Sequence, residues 1–209
     1  MKTKRIVPLV LSAAALVASA TSCGDVVRST RSPVILVVNS LLATRGAPSG
    51  GTPSATLASD VVTLVTSGGT CTTASPCTVI FEDTGTLSLS LAPKDITNAA
   101  GLTSNNQVTI NRIHVSYRRT DGRNTEGVDV PYAFDTAATV TVPITGSATA
   151  SFVIVRAQAK QEAPLVQLVT NGQLISAIAD VTAFGTDIVG NAVSATGSIG
   201  ITFGNFGDF

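Results

Sequence analysis

The sequence predicts an all-β sandwich, and three observations carry that prediction. Clusters of Gly, Pro, Asn, Asp and Ser divide the chain into some nine or ten short apolar or alternating segments. No segment keeps a helical 3.6-residue periodicity over a dozen positions. Thr and Val are abundant, and both favour a pleated, half-buried surface. Trp is absent and aromatic residues make up 4% of the chain, so Val, Ile, Leu and Ala must build the core.

Pro33 opens the apolar run Val34 to Val38, which predicts a strand buried on both faces. Residues 43–56 carry three glycines and two prolines and read as a loop. Asp60 to Thr66 is the next strand, and Ser67-Gly68-Gly69 leads into Cys71. Cys77 to Phe81 and Thr86 to Leu91 predict a hairpin turning through Glu82-Asp83-Thr84-Gly85; Leu87, Leu89 and Leu91 alternate with Ser88 and Ser90. Residues 93–106 are a polar connection with room for one helical turn at Lys94 to Asn98. Gln107 to Arg119 is the longest strand, with Val128 to Phe134 as its partner across the loop 120–127. Ala138 to Ile144 and Ala148 to Ala159 turn about Thr145-Gly146-Ser147, and Ala163 to Leu168 suits a short helix or crossover. Leu174 to Gly185 and Val193 to Phe203 are the last two strands.

The segment Ile178-Ala179-Asp180-Val181-Thr182-Ala183-Phe184-Gly185-Thr186-Asp187-Ile188-Val189-Gly190-Asn191-Ala192-Val193 resembles the last hairpin of immunoglobulin-like or fibronectin-type bacterial surface domains. The resemblance covers some 30 residues of turn chemistry and alternation. It implies an Ig-like β-sandwich, here with added strands because the domain exceeds the roughly 100 residues of one Ig unit. That fold implies no single activity.

The N-terminus specifies an address. Met1-Lys2-Thr3-Lys4-Arg5 is basic, and Ile6 to Ala20 is apolar but shorter than the roughly 20 residues a membrane helix needs. Ala20-Thr21-Ser22-Cys23 resembles the lipobox of bacterial lipoproteins, with Ala20 where Leu is commonest. The resemblance implies a cleaved signal peptide over 1–22, lipidation of Cys23, a flexible tether over 23–32 and a sandwich domain over 33–209. The competing site Ala18-Ser19-Ala20 would instead release a soluble secreted protein starting at Thr21. Export implies an oxidising compartment. Cys71 and Cys77 flank a five-residue insert containing Pro76, which predicts a disulfide between them. Cys23 is then the odd cysteine, and lipidation accounts for it.

Removing residues 1–22 leaves ten basic and thirteen acidic residues, so the mature chain is mildly acidic. No basic patch supports nucleic-acid binding. His114, the single histidine, alternates with Ile113, Val115 and Tyr117 and so falls on the polar face with Arg112, Ser116 and Arg118. As a catalytic base it would need an orienting carboxylate and a nucleophile, and no local motif supplies them. Asp121, Asn124, Glu126 and Asp129 place four oxygen ligands within nine residues, but without EF-hand spacing and around Arg123. Asp180 with Asp187, or Glu82 with Asp83, would be the paired carboxylates of a glycosidase only if each pair shared a cleft. No metal, cofactor or catalytic set is expected. An outer-membrane barrel ending at Phe209 is disfavoured by two tyrosines and no tryptophan, too few for aromatic girdles.

These readings converge on a lipid-anchored protein of the cell envelope with a structural or binding role. The membrane is its anchor, and an envelope protein or glycan its partner. Tyr117, Arg118, Arg119, Arg123 and Tyr132 form the candidate partner surface. A fibre subunit assembled by strand pairing through Val34–Val38 is one alternative. A carbohydrate-binding module is another, weakened by the shortage of aromatic stacking platforms.

Overall fold

Alternating burial along ten strands of the described residues builds an all-β sandwich. The structure is a computed structural model that describes residues 31–97 and 101–206. The strands are β1 (Val34–Thr44), β2 (Thr56–Asp60), β3 (Thr63–Val65), β4 (Cys77–Val79), β5 (Asp83–Pro93), β6 (Val108–Arg118), β7 (Phe134–Val142), β8 (Ser147–Val155), β9 (Ile175–Asp187) and β10 (Ala192–Gly204). One layer has the order β1-β5-β8, and the facing layer has the order β2-β10-β9-β6-β7. β2 runs parallel to β10, and every other pairing in the two layers is antiparallel. β3 and β4 form a separate small ribbon. Two one-turn helices, α1 (Ala157–Lys160) and α2 (Leu168–Asn171), follow β8.

The core lies between the layers. β5 contributes Leu87 and Leu89, and β8 contributes Ala150, Phe152 and Ile154. Opposite them β9 presents the small residues Ala177, Ala179 and Ala183 around Val181, so bulky and small side chains interdigitate at interior density. Gly85 lies under the Phe152 ring, where any Cβ would collide. Gly197 of β10 gives β1 a close approach through Val38 and Leu41. α2 and the preceding 3-10 turn drive Leu165 and Leu168 into the open end between the layers.

Several expectations are corrected. Val34–Val38 is not buried on both faces: Val34 and Leu36 point inward, while Ile35 is 48% exposed. A register shift between Val38 and Ser40 then moves the inward parity to Ala43. Thr56–Asp60, which starts on the last residue of the expected loop, is a strand, and the predicted Asp60–Thr66 strand breaks after Asp60 into β3. β4 does not form a hairpin with β5: β4 pairs with β3, while β5 lies between β1 and β8. The partner of β6 is β7, beginning at Phe134, and Val128–Ala133 belongs to the loop before it. The 93–106 connection carries a 3-10 turn at Ser104–Asn106, and the end of the expected turn at Lys94–Asn98 lies outside the described residues. β6 and the β9–β10 hairpin match their expected positions. Cys71 and Cys77 are bonded, with Cα atoms 5.2 Å apart, closing the β3–β4 ribbon.

Candidate interaction surface

The five residues expected to share one surface separate into three environments. Tyr117 belongs to the core: it is 6% exposed, its ring meets Phe203 edge-on at 6.1 Å, and its hydroxyl donates to the Ile154 carbonyl at 2.5 Å. It therefore offers nothing to a partner. Burial raises its pKa well above the ordinary value, because the phenolate would lose its hydration; Arg156 opposes the shift and Asp83 adds to it. Arg118 leaves the opposite side of β6 and lies on the outer face of the five-stranded layer. There its Nε donates to Asp180 Oδ2 at 2.6 Å. Desolvation works to raise the Asp180 pKa, but the Arg118 and Ser198 hydrogen bonds outweigh it and hold the carboxyl below its ordinary value.

Arg119, Arg123 and Tyr132 remain together on the loop 119–133 between β6 and β7. Asp121 organises this loop. It accepts from Arg119 at 3.1 and 2.6 Å and from Arg123 at 3.0 and 2.8 Å, and these hydrogen bonds hold its pKa far below the carboxylate range. Asn124 accepts the Arg119 N–H at 2.6 Å, Asp129 the Thr125 N–H at 3.1 Å, and Glu126 the Ala133 N–H at 3.3 Å. The four oxygens suggested as calcium ligands are thus turned inward on the loop's own donors. Among the described residues, no three His, Cys, Asp or Glu side chains group as a metal site. Gly127 has φ +74°, and a Cβ there would strike the Tyr132 ring, so this glycine sets the aromatic in place. The result is an ordered loop that exposes Arg123, Val128 (66%) and Tyr132 (50%).

His114 lies on the polar outer face, as its alternation predicts, and finds a carboxylate that local sequence did not reveal. Asp135 pairs with it across the β6–β7 register, Nδ1 to Oδ1 at 3.0 Å, and also accepts from Arg112 at 3.2 Å. Thr182 is its register partner on β9 and shares a hydrogen bond with Thr196 at 2.8 Å. Arg112 stacks 4.0 Å from the centre of the Phe184 ring. This row lies on the outer face of the five-stranded layer.

The paired-carboxylate readings do not assemble. Asp180 faces outward, while Asp187 is buried and caps the turn into β10, accepting from Asn191 N and Nδ2, each at 2.8 Å. Glu82 is exposed, whereas Asp83 is fully buried against Lys160, with Nζ and Oδ2 3.0 Å apart. Asp83 also accepts from Ser59 at 2.6 Å and from the Gly46 N–H at 2.8 Å. Beside this pair Asp60 is bound by Arg45, by Thr63 at 3.3 Å and by the Phe206 N–H at 3.1 Å. Desolvation lowers the Lys160 pKa, with Asp83 and Asp60 working against it. This buried charge cluster went unread in the sequence, because it draws on β2, β5, α1 and the segment after β10, none adjacent along the chain. It joins the two layers at the end capped by α1 and α2.

Cys23 lies outside the described residues, as does most of the tether. Among the described residues, no helix is long and apolar enough to cross a membrane. No family model, curated protein or solved structure matches the chain.

Proposed function

We propose that the chain is a lipid-anchored envelope protein whose sandwich holds the 119–133 loop away from the membrane for a protein partner. One observation carries the reading. β1 begins at Val34 beside Pro93 at the end of β5, whereas Tyr117 bonds to Ile154 where β5 begins, beside Val155. The loop after β6 therefore leaves the end of the sandwich opposite the entry of the chain. An acyl group on Cys23 would tether the entry end and leave the loop outward. Arg, Tyr and an exposed aliphatic residue on an ordered loop suit the centre of a protein interface.

Intact mass of membrane-extracted protein tests the anchor: a chain from Cys23 carrying diacylglycerol is expected, and an unlipidated chain from Thr21 overturns it. Capture from envelope extracts tests the loop. The Arg123→Ala, Val128→Ser, Tyr132→Ala variant is expected to lose proteins that the parent retains; identical capture overturns the loop's role. The fibre alternative depended on Val34–Val38 as a strand seeking a partner. That segment pairs with β5 along one side only and is the outer strand of its layer, so a fibre would have to add its strand along the other side of β1.

A further inference from the structure

The entry end of the sandwich carries two turns built in the same unusual way. Ile96 lies between Asp95 and Thr97, where Asp95 Oδ1 accepts the Thr97 N–H at 2.9 Å and its hydroxyl at 2.7 Å. Ile188 and Val189 lie between Asp187 and Asn191, where the Asp187 carboxylate, its carbonyl and Gly190 at φ +92° make the turn. In both, an aspartate side chain accepts a backbone N–H within the turn, and β-branched aliphatic residues stand beside it. Turn formation gives no reason for them, since β-branched side chains are poor turn formers. They are also the most water-exposed large apolar residues described: Ile96 is 88% exposed, Val189 73% and Ile188 62%, with Val128 at the far end between them at 66%. Both turns project from the end where β1 begins, because Val34 pairs with Pro93 just before the first turn, and the second joins the adjoining ends of β9 and β10.

Resting on the anchoring reading above, we propose that these two tips dip into the lipid surface that holds Cys23, so that the domain stands on the membrane instead of swinging from it. The occupant follows from the chain's length. Some ten residues separate Cys23 from Val34, and ten extended residues span roughly 35 Å at most. The entry end is therefore held within that reach of the lipid surface, where exposed Ile and Val side chains gain by leaving water. The mature chain is mildly acidic, so the contact is apolar, adding a second attachment to the acyl anchor.

The test separates the face from the anchor. The mature chain is tethered to phosphatidylethanolamine–phosphatidylglycerol vesicles through a hexahistidine tag in place of Cys23, bound to nickel-chelating lipid. With Cys71 and Cys77 bonded, a Val189→Cys variant carries one reactive thiol for an environment-sensitive dye, and Val128→Cys serves as the far-end control. Nitroxide-labelled lipids are expected to quench the dye at 189 at least about threefold more than at 128, as interfacial insertion requires. Adding Ile96→Ser and Ile188→Ser should abolish the excess. Equal quenching at 189 and 128, or an excess that survives both serine substitutions, overturns the proposal. Intact mass of the native protein decides separately whether Cys23 carries lipid, so either reading can fail alone.

Discussion

Lys160 is the side chain on which the greatest local energy turns. It is 1% exposed and meets an Asp83 that is completely buried. Removing one partner of a buried pair strands the other charge, typically at a cost of 3–5 kcal/mol. Ser59 and the Gly46 N–H remain on Asp83, so Lys160→Met is expected to cost about 3 kcal/mol in a urea titration, near the low end of that range. Arg118→Ala removes an ion pair of shorter distance but on the solvent-screened surface, and is expected to cost far less. Equal losses would mean that burial does not set the energetics. Tyr117 adds a pH signature. Its folded pKa lies above the ordinary 10.0, so above pH 10 the unfolded chain sheds a proton that the folded chain keeps. The stability it contributes is full below pH 10 and falls as the pH rises further. Lys160 works in the opposite sense: its lowered folded pKa makes stability rise with pH up to the ordinary 10.5. Comparing parent with Tyr117→Phe isolates the first effect. The variant is expected to lose about 1 kcal/mol at neutral pH with the Ile154 hydrogen bond, and to decline less steeply above pH 10. A parallel decline would remove Tyr117 from the alkaline transition.

At the scale of elements, what could be read in advance was what nearby residues decide. The inward face of β6 and the β9–β10 hairpin follow from alternation and from the Asp187–Gly190–Asn191 turn. β2 was hidden because its partner on β10 lies far along the chain and its first residues look like loop. The expected β4–β5 hairpin failed for a different reason. Asp83 and Gly85 look like turn residues, but here one is buried by Lys160 and the other leaves space for Phe152. The candidate surface was half legible: alternation put Arg118 and Tyr117 on opposite faces of β6, so they could not share one surface. The disulfide was legible from spacing, and its effect should stay local. It closes a loop with a sequence separation of 6, for which chain entropy gives about 2 kcal/mol. Cys71→Ser with Cys77→Ser is therefore expected to lower stability by about that amount and to leave the sandwich folded, read as an unchanged far-ultraviolet circular dichroism spectrum. Loss of the sheet signal would mean that the β3–β4 ribbon supports the whole fold.

At the scale of the whole molecule, the described sandwich has two different ends. β9 and β10 are each 13 residues long, and at about 3.3 Å per residue they hold the ends roughly 40 Å apart. The end entered by the chain has aliphatic turn tips; the far end has the helical cap, the buried charge cluster and the 119–133 loop. That cluster ties both layers together beside the loop: Ser59 of β2 reaches Asp83 of β5, and Tyr117 of β6 reaches Ile154 of β8. The loop therefore stands on a rigid base, and rigidity lowers the entropy a partner must remove on binding. The two ends should be distinguishable on anchored protein. Biotin attached at Arg123→Cys is expected to be captured by streptavidin as efficiently on vesicles as in detergent, as the proposed orientation requires. Biotin at Ile188→Cys should be captured in detergent and poorly on vesicles, where the bilayer occludes it. Free access at both positions would show a domain that tumbles on its tether. Occlusion at 123 with access at 188 would reverse the orientation, and the loop would then belong at the membrane instead of facing a partner.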